Sequence, residues 1–296
     1  MRVFVTGATG FIGQIVVREL LQAGHNVLGL ARNDAAADTL ARVGIDVHRG
    51  DLNDAQDLAA AARTCDGVIH TAFIHDFANW HASIATDRHV VESFINALEG
   101  SGKPLVIASG TAMLPHGRLG TEHDTYAPDA MTSPRGATEA VVLSAAQRGV
   151  RGIAVRLSPT VHGAGDHGFV PRLVQIAKDK GVAAYVGEGA NRWPAVHRFD
   201  AAKLFRLAFE SGKAGTPVHA VGEEGVPMRD IMTAIGEGLG LPVKSIAPAE
   251  AAAHFGWIGP FAMIDNPTSS RMTQDNLNWR PEGIKLLDDI RANYLG

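Results

Sequence analysis

A chain of 296 residues with a single cysteine, Cys65, cannot close a disulfide within itself, and a reducing compartment suits it. It has no run near the ~20 apolar residues that span a bilayer. Its opening, MRVFVTG, is cut short at Gly7, well before the apolar stretch of about 7–15 residues that a secretion signal requires. A cytoplasmic protein without membrane attachment is therefore expected. No basic block stands out, and the formal net charge is −4, which weighs against nucleic acid or an anionic surface as partner. Histidines number 13, yet neither HExxH nor a Cys/His ligand cluster occurs, so no metal site is expected. Internal repeats and low-complexity segments are also absent.

What is present is an alternation. RVFVTG, HNVLGLA, IDVHRGDL, DGVIHTA, PLVIASG and GIAVRLSP read as strands. Helical patterns lie between them, at residues 11–23, 83–99 and 134–148 and in DLAAAART. Strands alternating with helices imply parallel βαβ units, stacked by right-handed crossovers into a doubly wound α/β sheet of Rossmann type. After Pro159 the spacing becomes irregular, with helices expected at 169–179, 200–210 and 228–238. The expected division is a dinucleotide-binding domain over 1–160 and, over 161–296, mainly a smaller substrate lobe with some return to the sheet.

VFVTGATGFIGQIVVREL is the most informative stretch. Gly7, Gly10 and Gly13 follow a strand and open a helix. Gly7 permits a tight turn, Gly10 lets backbone approach a pyrophosphate, and Gly13 lets helix pack on strand. Free amides at the helix start then face phosphate oxygens. The second strand ends at Ala31 and Arg32, where an NAD site usually carries an acid for the ribose 2′-hydroxyl. An arginine fork fits a 2′-phosphate instead, so NADP is expected over NAD, with Asp34 nearby keeping the alternative open.

TGATGFIG, with Thr9, Phe11 and Ile12 among its glycines, resembles the cofactor fingerprint of the extended and atypical short-chain dehydrogenase/reductase families. RGDLND resembles their adenine-contacting segment at Asp51 and Leu52, and VIHTA, through Thr71 and Ala72, their fourth strand beside the cofactor. RLSPTVHGAGD and PAVHRFDAAKL resemble two further motifs, the first with His162 in place of a tyrosine. The resemblance covers about residues 1–210 and implies a Rossmann domain holding a nicotinamide nucleotide.

In most of that family a tyrosine exchanges a proton at the substrate oxygen. A lysine four residues on lowers its pKa and holds the nicotinamide ribose, both on one helix face. Aligning SPRGATE through Glu139 puts Met131 at the tyrosine position and Arg135 at the lysine position. Methionine has no titratable proton. Ser133 reads as an N-cap, Pro134 as the first helical residue and Gly136 as a weak point in the first turn. Arg135 is able to bond ribose hydroxyls but relays no proton; otherwise it is an exposed first-turn arginine.

Substitutes for the missing acid are few. Thr111, two residues after Ser109, matches the family's catalytic hydroxyl position, and Asp87 its fourth-helix asparagine. Tyr126 is the only tyrosine near the expected region, while His75 and His162 follow the fourth and sixth strands. In the lobe, Arg192 and Trp193 stand either as pocket walls or as a buried anchor beside a surface arginine, and Asp200 reads as an N-cap. These residues favour an NADP-dependent oxidoreductase acting on a small carbonyl-type substrate with a non-standard proton donor. The rivals are a catalytically silent NADP sensor and, third, a sugar-nucleotide epimerase or dehydratase. Relatives pair through the fourth and fifth helices, which makes a homodimer through 83–99 and 134–148 an expectation.

Overall fold

In the first strand, β1 (Arg2–Thr6), Val3 and Val5 enter one hydrophobic core and Phe4 the other, all fully buried. Successive side chains point to opposite faces of a strand, so a strand with three apolar residues in a row belongs in a sheet covered on both sides. The computed structural model, which describes residues 1–76, 79–126 and 133–296, has that sheet. The chain continues through α1 (Gly13–Gln22), β2 (Asn26–Ala31), α2 (Asp34–Val43), β3 (Asp46–Arg49), α3 (Ala55–Arg63), β4 (Gly67–His70), α4 (Trp80–Leu98), β5 (Pro104–Gly110), α5 (Ser133–Ser144) and β6 (Arg151–Leu157). The second half holds β7 (Thr160–His162), α6 (Phe169–Lys180), β8 (Ala183–Val186), β9 (Arg192–His197), α7 (Arg198–Ser211), β10 (Thr216–Ala220), β11 (Glu223–Pro227), α8 (Met228–Leu239) and β12 (Val243–Ile246). Four shorter helices close it: α9 (Ala251–Phe255), α10 (Gly259–Ala262), α11 (Arg271–Leu277) and α12 (Leu286–Asn293).

Seven strands pair in parallel in the order β10-β6-β5-β4-β1-β2-β3. One face is covered by α1, α2 and α7, the other by α3, α4 and α5. The order reverses between β1 and β4, and the crevice above that switch point is where open α/β sheets bind ligands. Two small sheets, β11-β9-β7 and β12-β8, build the lobe around a third core that includes Trp193, Phe255 and Met228. No helix among the described residues is long and apolar enough to cross a membrane.

Asp200 does not cap α7, as expected from sequence. His197 holds the cap position, and Asp200 sits in the first turn. Its carboxylate accepts the backbone N–H groups of Glu282 (3.1 Å) and Gly283 (2.8 Å), fastening the carboxy-terminal segment to the lobe.

Candidate active site

The glycine-rich turn is built by contact. Gly7 has φ +68°, and a Cβ there would stand 2.7 Å from both the Ala72 nitrogen and Thr71 Oγ1. At Gly13 a Cβ would run into the Gly7 carbonyl. The turn is thus pressed against the segment leaving β4 on one side and against its own helix on the other. Gly10 and Thr9 are exposed, and the Gly10 N–H closes the turn on the Gly7 carbonyl at 2.8 Å. Among the described residues, the amides of Phe11 and Ile12 donate to no protein acceptor. They stand at the N-terminus of α1, where the helix dipole favours an anion. Arg198, 5.2 Å over the Phe11 ring, has a buried Nε with no hydrogen-bond partner. Free amides, a cradle that side chains would fill and an orphaned guanidinium nitrogen fit a dinucleotide pyrophosphate.

At the rim, Arg32 is exposed and makes no hydrogen bond or ion pair among the described residues, whereas Asp34 is held by Arg49 at 2.6 Å. Asp51 is exposed and accepts the Asn53 N–H at 2.9 Å, and Leu52 is half-buried against the second core.

The tips of β1 and β4 are joined by a buried relay. The Thr6 hydroxyl meets His70 Nδ1 at 2.7 Å, and His70 Nε2 meets Asp87 at 3.2 Å. With Thr6 donating to Nδ1, the ring carries its proton on Nε2 and donates to the carboxylate. Asp87, expected as a polariser of substrate water, is therefore occupied inside the fold and 7 % exposed. Beyond β4, the Phe73 ring lies under the Arg135 guanidinium at 4.1 Å and packs edge-on to His75 (5.2 Å) and Trp80 (5.3 Å). Burial, then the charges of Arg135 and His167, hold the His75 imidazole below its ordinary pKa.

The helix α5 carries the arginine of the alignment through Glu139. It begins at Ser133, so position 131 precedes it; Met131 itself lies outside the described residues, as does the Ser133 side chain. The two positions four apart that reach the end of β5 are Arg135 and Glu139. Arg135 Nη2 donates to the Ala108 carbonyl (3.3 Å), and Glu139 accepts from the Ser109 hydroxyl. Arg135 thus stands at the position aligned with the family's lysine, and Glu139, on which the alignment rests, lies one helical turn further on. Gly136, a weak point for the helix, is what makes room for a ring: a Cβ there would meet Tyr126 Cβ at 2.6 Å and Cδ2 at 2.8 Å. The loop tyrosine is seated on the first turn of α5, one residue from Arg135, and its hydroxyl bonds no group among the described residues.

Four further candidates are placed elsewhere. Thr111 is fully buried, and its hydroxyl donates to the Asn266 carboxamide oxygen at 3.1 Å, with the amide returning a bond to the Thr111 carbonyl (3.1 Å). It is spent on holding the carboxy-terminal segment and is not open to a substrate oxygen. His162 is 1 % exposed and bonded to Asp289 at 2.7 Å, so it ties β7 to α12 and faces no substrate. Trp193 is a core anchor whose Nε1 donates to the Phe261 carbonyl (3.2 Å), and Arg192 pairs with Asp265 at 2.9 Å.

Sequence reasoning missed the network beneath the site. Glu139 accepts from Arg156 Nη2 (2.6 Å) and Nε (3.0 Å), and Arg156 Nη1 lies 3.2 Å from His219 Nε2. His219 Nδ1 lies 2.7 Å from the Ser269 carbonyl. Nδ1 must donate there, so Nε2 is the acceptor of the Arg156 N–H and the ring is neutral. Protonating Nε2 would set a donor against a donor. Burial, then Arg156, depress His219 from its ordinary 6.5 to about 4. Between those values the unfolded chain binds a proton that the folded chain refuses, so stability is lost as pH falls. Folding stability is expected to drop by roughly 3 kcal/mol between pH 6.5 and 4 from this group, at about 1.4 kcal/mol per unit. Urea melts across that range check it: His219→Gln should flatten the slope, and an unaltered slope would remove His219 as its source.

The fold and cradle define a Rossmann-type dinucleotide-binding protein. The NAD dependent epimerase/dehydratase family matches residues 3–222, and the chain belongs to that family. An uncharacterized protein of Schizosaccharomyces pombe is 47% identical over 294 residues, 99% of each chain. The 2-alkyl-3-oxoalkanoate reductase of Stenotrophomonas maltophilia is 29% identical over 263 residues, 82% of this chain and 77% of that one. The structure of Thermus thermophilus UDP-glucose 4-epimerase in complex with NAD matches with a TM-score of 0.78, covering 99% of this chain and 98% of that one. At 20% identity that likeness is one of fold.

Proposed function

We propose that this chain is an NADP-dependent oxidoreductase that passes hydride between the nicotinamide and a small carbonyl-type substrate, with Tyr126 as the donor at the substrate oxygen. The observation that carries it is Tyr126 seated on Gly136. A phenol stands on the first turn of α5, next to Arg135, which reaches Ala108 of β5 and the Phe73 ring beyond β4, although the helix itself carries no tyrosine. The S. maltophilia relative, named as a reductase of an oxo acid, supports the same reaction class.

When bound, the dinucleotide supplies or takes the hydride; the protein supplies position and polarity. The Phe11 and Ile12 amides and Arg198 hold the pyrophosphate. Arg32 takes the 2′-phosphate, since no acid competes at the end of β2 once Asp34 is engaged by Arg49. Phe73 and Trp80 give the site an apolar floor.

A silent NADP-binding protein is the second reading, because Ser109 and Thr111 both spend their hydroxyls inside the fold. NADPH oxidation across a panel of aldehydes, ketones and imines separates the two, and tight NADPH binding without any turnover would leave the sensor. Arg32→Asp tests the cofactor. NADPH affinity should fall roughly 10–100-fold, hydrogen bonds to charged groups being worth about 1.5–3 kcal/mol, with NADH far less affected. An unchanged NADPH/NADH ratio removes the NADP assignment.

A further inference from the structure

Arg135 is a cation with unfinished bonding. A guanidinium offers five N–H donors. One reaches the Ala108 carbonyl at 3.3 Å, which is long against the usual range of about 2.7–3.2 Å. One face is covered by the Phe73 ring at 4.1 Å. No salt bridge to Arg135 exists among the described residues.

The nearby acids are already engaged. Asp87 accepts from His70, and Glu139 takes Arg156 and Ser109. The carboxylates of Asp87 and Glu139 reach Arg135 only through space, without a bond to it, and burial outweighs their effect; on its other side His75 feels both Arg135 and His167. By contrast Arg156, two strands away from the crevice and fully enclosed, has its carboxylate. The fold therefore pairs the guanidinium that no ligand can reach and leaves unpaired the one at the mouth. Holding a half-buried cation without an anion is costly, and a ligand anion removes that cost.

We propose that Arg135 anchors a substrate carboxylate, so that the substrates of this chain are small oxo acids carrying a free carboxylate next to, or one carbon from, the reacting carbonyl. The planar fork matches a carboxylate with two parallel bonds. The Phe73 ring on Arg135 and the Trp80 ring against Phe73 suit a short apolar remainder. Tyr126, one helix residue away, then stands near the carbonyl while Arg135 holds the acid. In the reaction a hydride adds to the carbonyl carbon, the C=O π pair passes to oxygen, and oxygen takes a proton. NADPH is oxidised as the oxo acid is reduced, and the carboxylate is unchanged. The substrate class rests on the oxidoreductase reading, but the anion site does not.

Equilibrium binding to the NADPH complex tests it without turnover. The probes are 2-hydroxypropanoate and 3-hydroxybutanoate with their methyl esters, which find no hydride acceptor in the reduced complex. The wild-type complex should bind at least one acid about tenfold or more tightly than its ester, the scale of one charge-assisted hydrogen bond. Arg135→Gln should erase that preference and Arg135→Lys restore part of it. In steady state with the matching oxo acid, Arg135→Gln should raise KM far more than it lowers kcat. Acids that bind no better than their esters, including binding by neither, overturn the proposal. So does an Arg135→Gln protein that loses NADPH affinity while keeping its acid preference, since Arg135 would then belong to the cofactor ribose. An acid preference lost in Arg135→Gln with no NADPH oxidation by the wild type keeps the anion site and discards the oxidoreductase.

Discussion

Replacing Glu139 by alanine is expected to cost about 3–5 kcal/mol of folding stability and to lower Tm by roughly 5–15 °C. The carboxylate is 2 % exposed and faces Arg156, which is also 2 % exposed. It accepts two guanidinium nitrogens and the Ser109 hydroxyl. Removing it leaves a cation in a dry interior with only the neutral His219 ring at 3.2 Å. Breaking one side of a buried pair is far more harmful than removing both. The discriminating measurement is therefore a cycle of melts. Arg156→Met alone should also destabilise, and Glu139→Leu/Arg156→Met should be more stable than either single variant. A double variant that simply adds the two losses would show that the charges act independently and that this account of the network is wrong.

That network also shows what the sequence concealed. Six strands of the sheet are legible in the sequence, the five inner ones because parallel strands, buried on both faces, read as apolar runs such as those in RVFVT and PLVIA, while β3, DVHR, is an edge strand without one. The seventh, β10, reads TPVHA, with a proline and a histidine in five residues. Proline is tolerated because β10 is an edge strand, and the histidine because Ser269 and Arg156 complete its bonding. Neither reason is local. The same holds for Thr111 and His162: their partners Asn266 and Asp289 lie 155 and 127 residues away, and no spacing rule reaches them. The glycine-rich turn is legible because its constraints lie within a few residues of each other. The contacts of Glu139 to Ser109 and Arg156 are not, because they run from α5 to β5 and β6.

Tyr126→Phe is expected to lower kcat for carbonyl reduction by roughly 10²–10⁴, the usual contribution of a positioned general acid, with KM and NADPH affinity little changed. Phenylalanine keeps the ring that packs on Gly136 and removes only the hydroxyl, which forms no bond to the described residues, so folding should be unaffected. Gly136→Ala makes the complementary test. Its Cβ would enter the space of Tyr126 Cβ and Cδ2, so the ring must leave while its hydroxyl remains intact. Alanine is the better helix former by about 1 kcal/mol, so α5 itself should not suffer. If Tyr126 supplies the proton from this seat, both variants lose kcat to a similar degree, one by chemistry and the other by position. A Tyr126→Phe protein with full kcat would move the proton source to His75 or solvent. Loss in Gly136→Ala alone would mean that the first turn of α5 matters for Arg135 and not for the phenol. The two substitutions separate the group from the place that holds it.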